Sequence, residues 1–200
     1  MTDTPRNRAT RKPLAAVVWP TASDGSNALR NIALVAFGIL LLALSAKITL
    51  PLPYVPMTLQ TLVVVMLGAA YGSRLGAITV LAYLAVGAAG LPVFASSVSG
   101  LAPFSGATAG FLFGFVIAAF ITGVLCERGA DQSVPRLFGA MLIGHVVLVA
   151  CGFAWLAFGM KFGVGKAWSV GVLPFFAGAL VKSALGAVLV PTLRKLSDSS

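Results

Sequence analysis

Long apolar runs separated by short polar breaks dominate this chain. They lie near residues 29–47, 57–72, 74–91, 107–126, 137–158 and 170–193. A helix needs about 20 residues to cross a bilayer, with a usual range near 17–25. Backbone polar groups cannot be left open to lipid. The pattern therefore predicts an all-α integral membrane protein of six transmembrane helices. The second run is short, and Gly72-Ser73 barely separates it from the third. These two form a tight helical hairpin, or one of them is tilted or partly covered by protein.

Composition agrees with the pattern. The chain is 58% hydrophobic and 10% charged, against about 25% charged in soluble domains, and its mean hydropathy is +0.99. The net charge of +9 sets topology rather than a nucleic-acid surface, because the basic residues stand at the ends of apolar segments with no interleaved aromatics. With the N-terminus inside, Arg6, Arg8, Arg11, Lys12, Arg30, Arg74, Arg128, Arg136, Arg194 and Lys195 are cytoplasmic, ten against Lys47, Lys161 and Lys166 outside. Such a bias predicts an N-in, C-in orientation. The acidic residues Asp3, Asp24, Glu127, Asp131 and Asp198 fall on the same cytoplasmic side.

Residues 1–28 are expected to be a disordered basic cytoplasmic tail, 29–195 the membrane domain and 196–200 a short C-terminal tail. The apolar stretch 14–19 is too short for a signal-peptide core of about 7–15 residues, and Pro20 and Asp24 follow at once. Cys126 and Cys151 lack a CxxC spacing and are read as packing residues. Two outer connections stand out: a proline-rich one at 48–56, expected to be stiff and extended, and an uncharged Ser, Gly and Pro-rich one at 92–106. Both are placed to cover an outward-facing cavity.

Lys182 is the strongest candidate for chemistry. It falls deep in the sixth run with Gly178 and Gly186 at i±4. A lysine near mid-membrane costs at least ~2.5–3.5 kcal/mol, so it must face a partner or a wet cavity. The membrane runs contain no Asp or Glu to pair with it, which makes an anionic ligand, most simply a carboxylate, the expected partner. A lysine snorkelling to an interface is the plain alternative. Gln60 and Thr58, at the outer entrance of the second run, suit a urea- or amide-bearing ligand. Equally, Thr58 caps that helix and Gln60 bonds between helices. Being two residues apart, they are not expected to share a helical face.

Gly106, Gly110, Gly114, Ala118 and Thr122 recur every four residues along the fourth run and predict a packing face. That face serves contacts within the chain or docking to another membrane subunit, and self-association stays open. Thr108, just inside that helix, adds a polar contact. Tyr83, Phe94 and Trp155 are candidates for stacking on a ligand, and His145 is assigned to structure because no metal-ligand cluster accompanies it. The sequence carries no Walker A loop, no GxGxxG after a strand, and no nucleophile–base–acid set. Hence no enzyme activity, metal or cofactor is expected, and any energy for active transport would come from another polypeptide.

These residues resemble the BioY family, the biotin-capturing subunits of energy-coupling factor (ECF) transporters. The likeness is densest in Pro53-Tyr54-Val55-Pro56-Met57-Thr58-Leu59-Gln60-Thr61-Leu62 and continues through Gly72-Ser73-Arg74-Leu75-Gly76 and Gly90-Leu91-Pro92-Val93-Phe94-Ala95. Gly106-Ala107-Thr108-Ala109-Gly110-Phe111 is similar to the family's Gly-Pro-Thr-Gly-Gly-Tyr element, and the segment from Leu173-Pro174-Phe175 to Lys182 is similar to its Pro-Phe…Gly-Asp-x-x-Lys segment. Ala179 departs from the aspartate of that segment, and Ala107 and Ala109 depart from Pro and Gly. The resemblance implies an S-component-like six-helix bundle in the bacterial inner membrane, with a biotin pocket near the outer face. It also implies a transmembrane coupling protein and a pair of cytoplasmic ATPases as partners. A self-sufficient permease for biotin or another small carboxylate-bearing vitamin is the rival, and a purely structural membrane subunit is a third reading.

Overall fold

The structure, a computed structural model, describes Ala15 and residues 24–95 and 99–198. Most of the predicted basic tail lies outside these residues. The first helix, α1 (Asp24–Lys47), already begins within the stretch assigned to that tail.

Each apolar run contains a helix. α2 (Gln60–Tyr71) and α3 (Ser73–Ala88) form the predicted hairpin, joined at Gly72 with φ +83°, a left-handed value that glycine adopts without strain. α4 (Ala109–Glu127) and α5 (Val134–Ala154) follow, and α5 continues as a π-helical turn, Trp155–Gly159. A short helix not foreseen from the sequence, α6 (Val164–Gly171), precedes α7 (Leu173–Asp198). α7 runs through most of the stretch expected to be a C-terminal tail. Among the described residues four helices are long and apolar enough to cross a membrane, while α2 and α3 have 12 and 16 residues. α2 is shorter than its apolar run because residues 57–58 are drawn into a strand.

That strand corrects the expectation of a simple extended loop over 48–56. Thr49–Leu50 pairs antiparallel with Met57–Thr58, in register Thr49 with Thr58 and Leu50 with Met57. The three prolines of the connection fall in the turn between the two strands, where no ladder N–H is required.

α4 is the centre of the bundle and packs on α2, α3 and α5. Its small-residue stripe is a packing face within the chain. A Cβ at Gly110 would overlap Trp155, and one at Gly114 would lie 2.9 Å from the Leu148 carbonyl oxygen on α5. Gly106 lies before the helix, where no close neighbour excludes a side chain and its carbonyl accepts the Trp155 indole N–H. Elsewhere, Gly68 of α2 approaches the backbone of Ala119 so closely that a Cβ would overlap its carbonyl oxygen. The core between helices includes Leu42, Val64, Val80, Tyr83, Leu148 and Leu156, all fully buried. The outward faces carry exposed large apolar groups such as Leu40, Phe113, Phe120, Val146, Phe176 and Val188, the polarity that lipid contact requires. Charged contacts gather where the topology reading places the cytoplasm. Glu127 accepts from the Ser73 backbone N–H at 2.7 Å and from its hydroxyl at 2.9 Å, capping α3, and Arg194 pairs with Asp131 at 2.6 Å.

Candidate functional site: a cavity under two proline-bearing loops

At the other end of the bundle a cavity of about 290 Å³ opens beneath the loops 48–59 and 91–108, close to the ~300 Å³ lower end of small-molecule clefts. Its wall is mostly apolar and aromatic, with Tyr54, Phe94, Phe111, Phe115 and Phe175 contributing rings. Phe111 of α4 and Phe175 of α7 stack at 5.4 Å between centroids. Four polar side chains interrupt that wall: Thr58, Gln60, Thr61 and Thr108. Few convergent polar groups on an apolar lining are what a specific organic-ligand site requires.

The hairpin explains why Thr58 and Gln60 meet although two helical positions would not. Thr58 stands in the strand rather than in α2, and its hydroxyl reaches forward along the chain to Gln60. It donates to Gln60 Oε1 at 3.3 Å and accepts the Gln60 backbone N–H at 3.2 Å. Gln60 Nε2 in turn donates to the Tyr83 hydroxyl on α3 at 2.6 Å. Both plain alternatives for the pair, a local cap and a bond between helices, are thus realised on the cavity wall itself. Thr108 occupies the N-cap position of α4 rather than its first turn, and its hydroxyl donates to the Pro103 carbonyl at 3.3 Å.

Lys182 turns inward. Its ammonium donates to the Thr58 carbonyl at 2.6 Å and to the Thr61 hydroxyl at 3.1 Å. It therefore stands directly behind two wall residues without itself belonging to the lining. Oxygens of α2 and its preceding strand partner the charge that the sequence left alone, and the lysine does not reach toward lipid. Its glycine neighbours let other segments come close: a Cβ at Gly178 would come 3.0 Å from Met57 Sδ on the strand, and one at Gly186 3.1 Å from Leu62 Cδ1 on α2.

The candidate aromatics separate. Phe94 lies in the wall. Tyr83 and Trp155 stand one layer behind, Tyr83 edge-on to Phe94 at 5.5 Å and Trp155 donating from its indole N–H to the Gly106 carbonyl at 2.9 Å. His145 is fully enclosed, with Nδ1 3.0 Å from both the Met141 carbonyl and the Ser183 hydroxyl, a helix-to-helix tie. Sequence reasoning missed Tyr54, Thr61, Phe111, Phe115 and Phe175 as wall residues. Thr61 carried a signal, since it is polar in an apolar run and adjacent to Gln60. The aromatic positions carried none that distinguishes a wall from a core. Ala179 lines a separate apolar groove between α5 and α7 with His145, Val146 and Phe176, so the missing aspartate leaves the cavity lining as it stands.

Comparison with known proteins decides the family. The BioY family model matches residues 14–199. The chain belongs to the BioY family. It is 42% identical over 164 residues to the biotin transporter BioY of Rhizobium etli, covering 78% of this chain and 87% of that one. It is 35% identical over 166 residues to the probable biotin transporter BioY of Pyrococcus horikoshii, covering 82% and 96%. Among solved structures it resembles the crystal structure of the S-component for biotin from an ECF-type ABC transporter, with a TM-score of 0.77 and 26% identity over 87% of this chain and 95% of that one. The BioY assignment fits the geometry, since the most conspicuous polar wall groups fall in the Pro-Met-Thr-Leu-Gln-Thr segment at 56–61.

Proposed function

We propose that this protein captures biotin from the outer side of the membrane as the substrate-binding component of an ECF transporter. The observation that carries the proposal is an aromatic cavity studded with Thr58, Gln60, Thr61 and Thr108 and backed by the one lysine within α7 short of its last turn. Biotin offers matching chemistry: a ureido ring that both donates and accepts, an apolar thioether ring, and a carboxylate tail. The Gln60 amide and threonine hydroxyls suit the ureido group, the rings suit the bicycle, and Lys182 suits the carboxylate. Two of the three protons of its ammonium are engaged by Thr58 and Thr61, which leaves one to direct at an anion. Tyr83 and Trp155 act from behind, holding Gln60 and the α4 entrance.

The orientation is N-in and C-in with six spans, α2 and α3 being short ones within the bundle, in a bacterial inner membrane. The energy is supplied by a transmembrane coupling protein and a pair of ATPases. The relatives named as biotin transporters and the resemblance to a biotin S-component support this reading.

Calorimetric titration of the purified protein with biotin, desthiobiotin, thiamine and riboflavin tests the ligand. Biotin is expected to bind most tightly, and a preference for thiamine or riboflavin would reject the assignment. Uptake in cells lacking coupling ATPases tests the energy source: capture should stop near stoichiometric amounts, whereas sustained accumulation would make the protein a self-sufficient permease.

A further inference from the structure

A line of side-chain hydrogen bonds runs along the cavity from one lysine to another. Lys47, the last residue of α1, donates to the carbonyls of Pro92 at 2.9 Å and Phe94 at 2.8 Å. The carbonyl between them, that of Val93, accepts the Tyr83 hydroxyl at 2.9 Å. The Tyr83 oxygen accepts from Gln60 Nε2, Gln60 Oε1 accepts from Thr58, and the Thr58 carbonyl accepts from Lys182. Three successive carbonyls of the apolar stretch 91–94 are thus each met by a side-chain donor, and a single ammonium supplies two of them. The same loop carries Phe94, whose ring forms cavity wall and seats on Gly87.

We infer that Lys47 is a positioning residue for ligand capture, although it is not itself among the residues that line the cavity. Its action follows from the proton inventory of the line. A tyrosine hydroxyl has one proton, and here Val93 takes it. The Tyr83 oxygen can then only accept, so the Gln60 amide must turn its NH₂ toward Tyr83 and its carbonyl toward Thr58 and the cavity. Lys47 holds the loop that holds Val93 in place, and so fixes the sense in which Gln60 meets a ligand. Without it the Pro92 and Phe94 carbonyls lose their donor, the Phe94 wall is released, and the Tyr83 proton is no longer committed.

The inference rests on the reading of the cavity as a biotin site, and wild-type binding of biotin tests that reading by itself. Given that binding, Lys47→Met is expected to weaken affinity about five-fold, the order of one net hydrogen bond. The loss should appear as faster release of radiolabelled biotin in a chase with unlabelled ligand, with association little changed. Lys47→Arg, which also offers several donors, should restore most of the affinity. In a Tyr83→Phe background Lys47→Met should add little, because both changes break the same line. Should Lys47→Met fail to yield folded protein, Lys47→Gln takes its place in the same measurements. Three outcomes overturn the inference: wild-type affinity in the variant, full additivity with Tyr83→Phe, or a salt-dependent loss confined to the association rate. The last would make Lys47 a source of electrostatic attraction only.

Discussion

Replacing Lys182 with methionine keeps an unbranched side chain of comparable length and removes only the charge and its donors. The structure defines what is lost. The bonds to the Thr58 carbonyl and the Thr61 hydroxyl disappear, as does the proton we assign to the biotin carboxylate. A hydrogen bond to a charged group contributes about 1.5–3 kcal/mol, and every 1.4 kcal/mol is a factor of ten. Loss of the carboxylate contact alone therefore weakens biotin binding roughly 10- to 150-fold. Titration of purified wild type and Lys182→Met with biotin and with biotin methyl ester separates a direct contact from indirect support of α2. If Lys182 meets the carboxylate, the ester already lacks the charged partner, and the substitution costs the ester much less than it costs biotin. Equal losses for acid and ester would refute the pairing and leave Lys182 as a brace for Thr58 and Thr61. Unchanged affinity for both would remove the lysine from the site altogether.

Other consequences are open to measurement. Tyr83→Phe removes the hydroxyl shared by Gln60 and Val93 and should weaken biotin binding about ten-fold, read by calorimetry, because the Gln60 NH₂ loses a buried acceptor; wild-type affinity would refute the role given to that hydroxyl. Gly68→Ala places a Cβ into the Ala119 carbonyl and should destabilise the bundle by roughly 1–3 kcal/mol, as overpacking does; an unchanged thermal midpoint in detergent would show that α2 and α4 separate more readily than their packing implies. Thr61→Val removes one oxygen from the Lys182 ammonium while keeping its volume, and is expected to cost less affinity than Lys182→Met in the same titration.

Hydropathy made the helices legible because lipid imposes it on every exposed face, and Lys182 was legible because a lone charge in such a run demands a partner. The identity of that partner was not. Thr58 and Thr61 lie more than a hundred residues away in sequence and were brought to the lysine by helix packing. The strand at Met57–Thr58 escaped because two residues of pairing leave no periodic trace, yet it turns Thr58 onto Gln60. Phe111, Phe115 and Phe175 line the cavity, but an aromatic in an apolar helix has the same pattern whether it faces a neighbour, lipid or a ligand. Tyr83 and Trp155 have polar tips, and those tips are satisfied by backbone and Gln60 behind the wall. For such residues the sequence signalled a buried polar group, and only tertiary geometry assigned its partner.

The shortness of α3 bears on the membrane around the protein. Its 16 residues rise about 24 Å at 1.5 Å each, against a hydrocarbon core of about 30 Å. Unlike α2, whose sides are largely enclosed, α3 turns Arg74, Ile78, Leu81 and Ala85 outward. If α3 spans the bilayer as proposed, lipids along that flank must thin by several ångströms or its flanking residues must snorkel, while those beside α5 and α7 need not adjust. In the first case the molecule would carry a lopsided collar of thinned bilayer, and acyl-chain length becomes a handle on its stability and tilt.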